Sequence, residues 1–284
     1  MLDSGLKKLF PYQSRFFQVG RQKIHYIDEG FGPVVLMMHS CPFWSFEFRD
    51  LIADLSRDHR VIAMDQMGFG LSDKPEDYDY RLETHANHVD SFVHALGLKK
   101  FSMILHGRGA TIGMAYAVRH PDDISGFVTF NAQAFSEFTL PFGLQICRLK
   151  WIGAKILMLL NIFGRDIKHL PPEVREKYID PVPGVNCRLP LQRFIEDIPC
   201  VPEDLSAQTM FTIENALWLL LEKPACIIWA EKDWLYKRSD RDRWRKYFPK
   251  AEYHTLKDAG RCITEDAPGE INGIVRDFLT RNKI

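Results

Sequence analysis

Ile104-Leu-His-Gly-Arg-Gly-Ala-Thr-Ile-Gly113 is the stretch on which the fold turns. The apolar run from Phe101 to Leu105 predicts a strand, a turn of small residues follows, and Thr111 to Arg119 predicts a helix. Strand, tight turn and helix in this order form the layout of a nucleophile elbow. That turn, G-x-nucleophile-x-G, lifts a reactive side chain above a parallel sheet. The place of the nucleophile falls on Gly107, which has no side chain. The stretch predicts the architecture of an enzyme and lacks the group that would do the chemistry.

The same alternation runs outward on both sides. Strands are predicted at Lys23 to Asp28, Val34 to Met38, Arg60 to Met64, Gly126 to Phe130, Ala225 to Trp229 and Glu252 to Leu256. Several are the short apolar runs of strands buried on both faces. Helices are predicted at Tyr80 to Leu96 and Gly269 to Arg281. Alternating strands and helices predict an α/β fold with a mostly parallel, doubly wound sheet. The alternation breaks between Gln133 and Glu222, where Leu, Ile, Trp and Phe recur at helical spacing around Pro171-Pro172 and Pro181-Val-Pro183-Gly184. We read residues 133–222 as a helical cap inserted into a core made of residues 1–132 and 223–284. A lid over the carboxyl edge of the sheet would roof a ligand pocket. A surface helical excursion without a pocket is the alternative.

The chain has 284 residues, 46% of them hydrophobic, enough for one large α/β domain with an insertion. Lys+Arg and Asp+Glu both number 37, so no nucleic-acid or polyanion partner is expected. No apolar run approaches the ~18 residues of a membrane span; the longest candidate, Trp151 to Phe163, is interrupted by Gly153 and Lys155. Met1 to Phe10 lacks the charged, apolar and small-residue order of a signal peptide. The six cysteines are scattered with no CxxC pair, which reads as free thiols in a reducing cytoplasm. No metal or cofactor is expected from these patterns.

Further segments carry a family resemblance: Tyr26-Ile-Asp-Glu-Gly30, His39-Ser-Cys-Pro-Phe-Trp-Ser-Phe46, Asp65-Gln-Met-Gly-Phe-Gly-Leu-Ser-Asp-Lys-Pro75, Trp229-Ala-Glu-Lys-Asp233 and Glu265-Asp-Ala-Pro268. With these the chain resembles α/β-hydrolase-fold proteins of the haloalkane dehalogenase group. Phe194-Ile-Glu-Asp-Ile-Pro199 makes it similar to the β-lactone decarboxylases of bacterial olefin biosynthesis. The resemblance implies an aspartate nucleophile where this chain has Gly107. It implies a Trp where Arg108 stands, a His-Gly-Asn-Pro loop where His39-Ser40-Cys41-Pro42 stands, and a catalytic His where Arg261 stands. Of the positions it marks for chemistry, only the supporting acid, Asp233, is retained.

An arginine stays protonated in proteins and cannot serve as the base that activates water. Without nucleophile and base, covalent hydrolysis through an aspartyl ester is not expected. The resemblance places Arg261 beside Asp233, which implies either a structural Arg–Asp ion pair or, with Arg108, an anion site. Cys41, Phe43, Trp44 and His39 join Arg108 as candidate ligand-binding residues; His39, at the end of a strand, reads equally as an anchor for its loop. Three functions follow from these residues. The first is a degenerate member that binds a small apolar carboxylate or acyl compound under the cap without hydrolysing it. The second is an enzyme with a changed mechanism, using Arg108 and Arg261, a backbone oxyanion hole or Cys41. The third is a scaffold for partner enzymes of an olefin or β-lactone pathway.

Overall fold

The computed structural model describes residues 4–136, 140–148, 153, 163–179 and 188–284. Most of Trp151 to Phe163, and the Pro181–Gly184 break, lie outside them. In chain order the principal elements are α1 (Ser4–Leu9), β1 (Arg15–Val19), β2 (Gln22–Glu29), β3 (Val34–Met38), α2 (Arg49–Leu55), β4 (Arg60–Met64), α3 (Leu82–Ala95), β5 (Phe101–His106), α4 (Arg108–Arg119) and β6 (Ile124–Phe130). There follow α5 (Phe142–Cys147), α6 (Pro172–Ile179), α7 (Arg188–Glu196), α8 (Ala207–Ala216), β7 (Ala225–Ala230), α9 (Arg238–Tyr247), β8 (Glu252–Leu256) and α10 (Pro268–Asn282).

The strands form one eight-stranded sheet in the order β1-β2-β4-β3-β5-β6-β7-β8. β1 and β2 run antiparallel to their neighbours, and every pairing from β4 through β8 is parallel. This is the α/β-hydrolase fold. Every residue of β5 and β7 is buried, as expected of parallel strands covered by helices on both faces. Successive side chains along a strand point to opposite faces, so the core divides in two. Leu36, Met38, Met103, Leu105, Ile227 and Trp229 belong to one cluster, which Val89, Phe92, Ile112 and Trp244 complete from α3, α4 and α9. Val35, Met37, Ile104, Val128, Ile228 and Ala230 belong to the other, with Leu51 and Ile52 of α2 and Val275 and Phe278 of α10.

The elements between β6 and β7 are helices, α5 to α8 among the described residues. They reach the core through Phe194, which packs edge-on against Phe69 at 5.1 Å, and through Tyr178, which packs against Phe43 at 5.0 Å. Both contacts fall beside the carboxyl ends of the strands, where loops of such sheets present functional groups.

Candidate functional site

β5 ends at His106, α4 begins at Arg108, and Gly107 alone makes the turn, with φ 53° and ψ −122°. A side chain is disfavoured there by backbone sterics. It is also excluded by its neighbours. A Cβ on Gly107 would overlap Ser40 Oγ, lie 3.0 Å from Ser40 Cβ and 3.4 Å from the Tyr236 hydroxyl. The space above the elbow is thus filled from the side by a serine of the β3 loop. Gly109, one step into α4, is needed for another reason: a Cβ there would overlap the carbonyl oxygens of Met38 and His39, so its absence lets the helix approach the end of β3.

The loop after β3 is held by buried polar contacts. His39 Nε2 accepts the Gln66 N–H at 2.9 Å and its Nδ1 lies 2.9 Å from the Ser40 carbonyl, so both ring nitrogens are committed to backbone. Burial lowers its pKa and keeps it neutral, the form these two bonds require. Glu47 accepts the Ser40 N–H at 2.8 Å and pairs with His106 Nδ1 at 3.1 Å. The Cys41–Pro42 peptide is cis. Burial pushes the Cys41 thiol up to about 12, against the opposing pull of Arg261 and Arg108, so it is a neutral thiol at physiological pH. Trp44 is fully buried, stacks on Phe46 at 5.4 Å and donates its indole N–H to the Lys177 carbonyl at 2.7 Å.

Both arginines are buried, Arg108 at 6% exposure and Arg261 at 4%. Arg108 donates from Nη2 to Asp197 Oδ2 at 3.0 Å and lies over the Phe194 ring at 5.6 Å. Asp197 is held in turn by the Ser206 hydroxyl at 2.6 Å and the Leu82 N–H at 2.8 Å. Arg261 sits among the rings of Phe43, Phe163 and Trp234, at 5.9, 5.1 and 5.9 Å, a cation–π surround. Its Nη2 donates to the Cys41 carbonyl and, at 3.3 Å, to Ser40 Oγ.

Of the two readings of Arg261, an ion pair with Asp233 or an anion site with Arg108, the first is not formed within 4 Å. The carboxylate within 4 Å of Arg261 is Asp166, 3.4 Å from Nε. Asp233 lies beyond 4 Å of Arg261, yet its charge is the strongest of those that raise the Arg261 pKa; its Oδ1 accepts the N–H groups of Leu235 at 2.8 Å and Tyr236 at 3.2 Å, and its Oδ2 is buried with no hydrogen-bond partner among the described residues. The local i to i+2 and i+3 bonds are favourable for an Asp in a turn, and they use up the oxygen nearest the chain. Burial raises the carboxyl pKa of Asp233, Asp197 and Asp166, with Arg261, Arg108 and Arg261 respectively opposing the rise. Among the described residues, Nε and Nη1 of both arginines are buried and have no hydrogen-bond acceptor; the 3.4 Å approach of Asp166 to Arg261 Nε lacks hydrogen-bond alignment.

The structure therefore brings Gly107, Arg108, Arg261 and Cys41 together, and adds residues that sequence reasoning passed over: Ser40, Tyr236, Asp166 and Asp197. Ser40 carried a signal, since it stands where the resembled loop has Gly. A recess of about 990 Å³, lined in part by Tyr78, Arg81, Leu140, Arg148 and Asp204, has Asp197 in its wall, so the carboxylate that holds Arg108 also faces this outer space.

Comparison with known proteins bears on what this arrangement descends from. The cis-3-alkyl-4-alkyloxetan-2-one decarboxylase of Shewanella oneidensis is 33% identical over 296 residues, covering 100% of this chain and 92% of that protein. The family described as alpha/beta hydrolase fold matches residues 33–152. This chain belongs to the α/β-hydrolase fold family. Within that family it is also similar to haloalkane dehalogenase 2 of Mycobacterium tuberculosis, 30% identical over 278 residues and covering 93% of this chain and 94% of that one. Among solved structures, a putative ancestral haloalkane dehalogenase superposes with a TM-score of 0.82 at 23% identity, covering 95% of this chain and 99% of that one. A haloalkane dehalogenase from Bradyrhizobium elkani gives 0.85 at 19%, covering 95% and 98%. At those identities the structures speak for the fold alone.

Proposed function

We propose that this chain is an α/β-hydrolase-fold protein that has given up the covalent chemistry of its relatives and binds a small apolar acyl compound. The observation that carries this reading is the glycine at the tip of the elbow together with the two buried guanidinium groups beside it, each with unpartnered N–H groups. Buried donors without acceptors each cost about 1–3 kcal/mol. A carbonyl oxygen that took the place of the Ser40 hydroxyl, once that side chain turns aside, would recover part of that cost. The first-turn N–H of α4 at Arg108, which has no intrahelical acceptor, is a further donor for it.

Charge balance selects the kind of ligand. Arg108 and Arg261 are faced by Asp197, Asp166 and Asp233. An ionised carboxylate would enter a region already balanced or negative, and would need a proton taken up with it. A neutral ester or lactone carbonyl, or a protonated carboxylic acid, meets no such penalty. The apolar chain would lie against residues of the 133–222 segment, which we assign as the cap. Cys41 is a poor substitute nucleophile, because its thiol is neutral and no base lies against it.

The test pairs turnover with binding. The purified chain is incubated with a β-lactone, an activated ester and a haloalkane and followed by mass spectrometry, and the methyl ester of a medium-chain acid is titrated calorimetrically. We expect no product and saturable binding of the ester that weakens in Arg108→Met. Multiple turnover by the native chain would overturn the reading, and so would absence of binding to every acyl compound offered.

A further inference from the structure

A second cluster lies at the opposite end of the sheet. Cys226 is the second residue of β7, Glu252 opens β8, and the two are partners in the parallel register. His254 follows two residues along β8 and so projects from the same face. One ligand atom from each of the three side chains lies within 4.8 Å of the other two. His254 Nε2 has neither solvent nor a hydrogen-bond acceptor, and its nearest carboxylate oxygen, Glu252 Oε2, is 3.7 Å away. Arg281 of α10 holds the same oxygen at 2.7 Å.

We propose that Cys226, Glu252 and His254 form a binding site for a divalent transition metal, Zn²⁺ or Co²⁺, at the amino end of the sheet and apart from the elbow. A thiolate, an imidazole and a carboxylate are the donor set that such ions prefer, while Mg²⁺ and Ca²⁺ take oxygen donors. Thiolate and carboxylate together neutralise the ion, and Arg281, which holds Glu252 Oε2 at 2.7 Å, would have to release that oxygen or leave Oε1 to the metal. Metal–ligand bonds of about 2.0–2.3 Å put tetrahedral ligand atoms about 3.3–3.8 Å apart, so the cluster must close by roughly 1 Å. β8 is the edge strand and His254 is half-buried, so its imidazole is not locked by packing on every side. A water would complete the fourth position. On binding, the Cys226 S–H gives its proton to solvent and its sulfur pair to the metal.

The site is tested by titrating Co²⁺ into the reduced full chain. A thiolate-to-cobalt charge-transfer band is expected in the near ultraviolet, saturating at one equivalent. Cys226→Ser should abolish it, and His254→Gln should weaken Co²⁺ binding at least ~10-fold. Zn²⁺ should raise the melting temperature of the native chain and of neither variant, as mass action on a folded-state site requires. Absence of the band at millimolar Co²⁺ overturns the proposal, as does a band that survives Cys226→Ser or is undiminished in His254→Gln. His254 lies at the half-buried sheet edge, so its variant remains informative if Cys226→Ser fails to fold. None of these readouts depends on the function assigned to the elbow.

Discussion

Putting any side chain back at Gly107 should require a change at Ser40. In Gly107→Ala the new Cβ meets two costs. The backbone at φ 53°, ψ −122° is a conformation side chains rarely adopt, worth ~1–3 kcal/mol. The Cβ also overlaps Ser40 Oγ and lies 3.0 Å from Ser40 Cβ, in a site closed by Tyr236 and Arg261; overpacking of this kind costs ~1–3 kcal/mol. The single variant should therefore lose about 2–6 kcal/mol. Ser40→Gly loses its hydrogen bond from Arg261, about 1 kcal/mol, plus a backbone-entropy cost of about 0.5–1 kcal/mol. In the double variant the overlap is gone while the backbone strain remains. Its loss should fall short of the sum of the singles by about 1–3 kcal/mol. Urea unfolding of the four proteins measures this, with the midpoint read at constant slope. A coupling below about 0.5 kcal/mol would refute the steric argument, and so would a Gly107→Ala protein as stable as the native chain. The same reasoning says that Gly107→Asp with Arg261→His will not rebuild a working family site unless Ser40→Gly is added.

Asp197→Ala leaves Arg108 buried with no carboxylate and should cost about 3–5 kcal/mol, whereas the paired change Arg108→Met with Asp197→Leu should cost much less; a loss under 1 kcal/mol for Asp197→Ala in urea unfolding would contradict the ion pair. Asp233 has a folded pKa raised by burial above its unfolded value, so the folded state holds more protons between the two and stability falls as pH rises through that window. Asp233→Asn removes this penalty. The stability of the variant relative to native should climb as pH is raised from about 4 toward neutrality, and a difference that is flat or falls with pH would contradict it. Cys41, 7% exposed and neutral, should be alkylated at pH 8 far more slowly than the partly buried Cys200. Peptide mass spectrometry reads the order, and Cys41 reacting first would show an activated thiol.

The core was legible because it repeats one rule. Val34–Met38, Arg60–Met64 and Glu252–Leu256 are apolar or alternating runs between turn residues, and their observed limits match the expected ones. Among the elements that escaped are α2, a short helix that nonetheless buries Leu51, Ile52 and Leu55, and the two that follow. β1, Arg-Phe-Phe-Gln-Val from Arg15, is a half-exposed edge strand. α9 is made almost wholly of charged residues and buries only Asp240, Arg241 and Trp244. The site divided in the same way. Gly107, Arg108 and Arg261 are read from local motifs. Their partners are not, because Asp197 lies 89 residues from Arg108 and no periodicity links the two. The sequence left Arg261 open between an ion pair with Asp233 and an anion site with Arg108, and it gave no sign of Asp166, the carboxylate found within 4 Å of Arg261, because that residue lies in a distant segment with no periodicity linking the two.

The partners of the arginines change what the two substitutions mean. A guanidinium left alone in the core would cost several kcal/mol, so Arg108 and Arg261 could persist only with compensation. That compensation comes from the segment between β6 and β7: Asp197 follows α7, Asp166 precedes α6, and Phe163 and Phe194 lie against the guanidinium groups. The elbow and the helices over it are therefore one electrostatic unit, in which core arginines and the carboxylates above them are buried together. Opening those helices would expose not only the four charges but also the buried rings of Phe194, Tyr178 and Phe163, so apolar burial and the ion pairs hold the segment down together. Closing them restores the pairing but leaves Nε and Nη1 of each arginine without an acceptor.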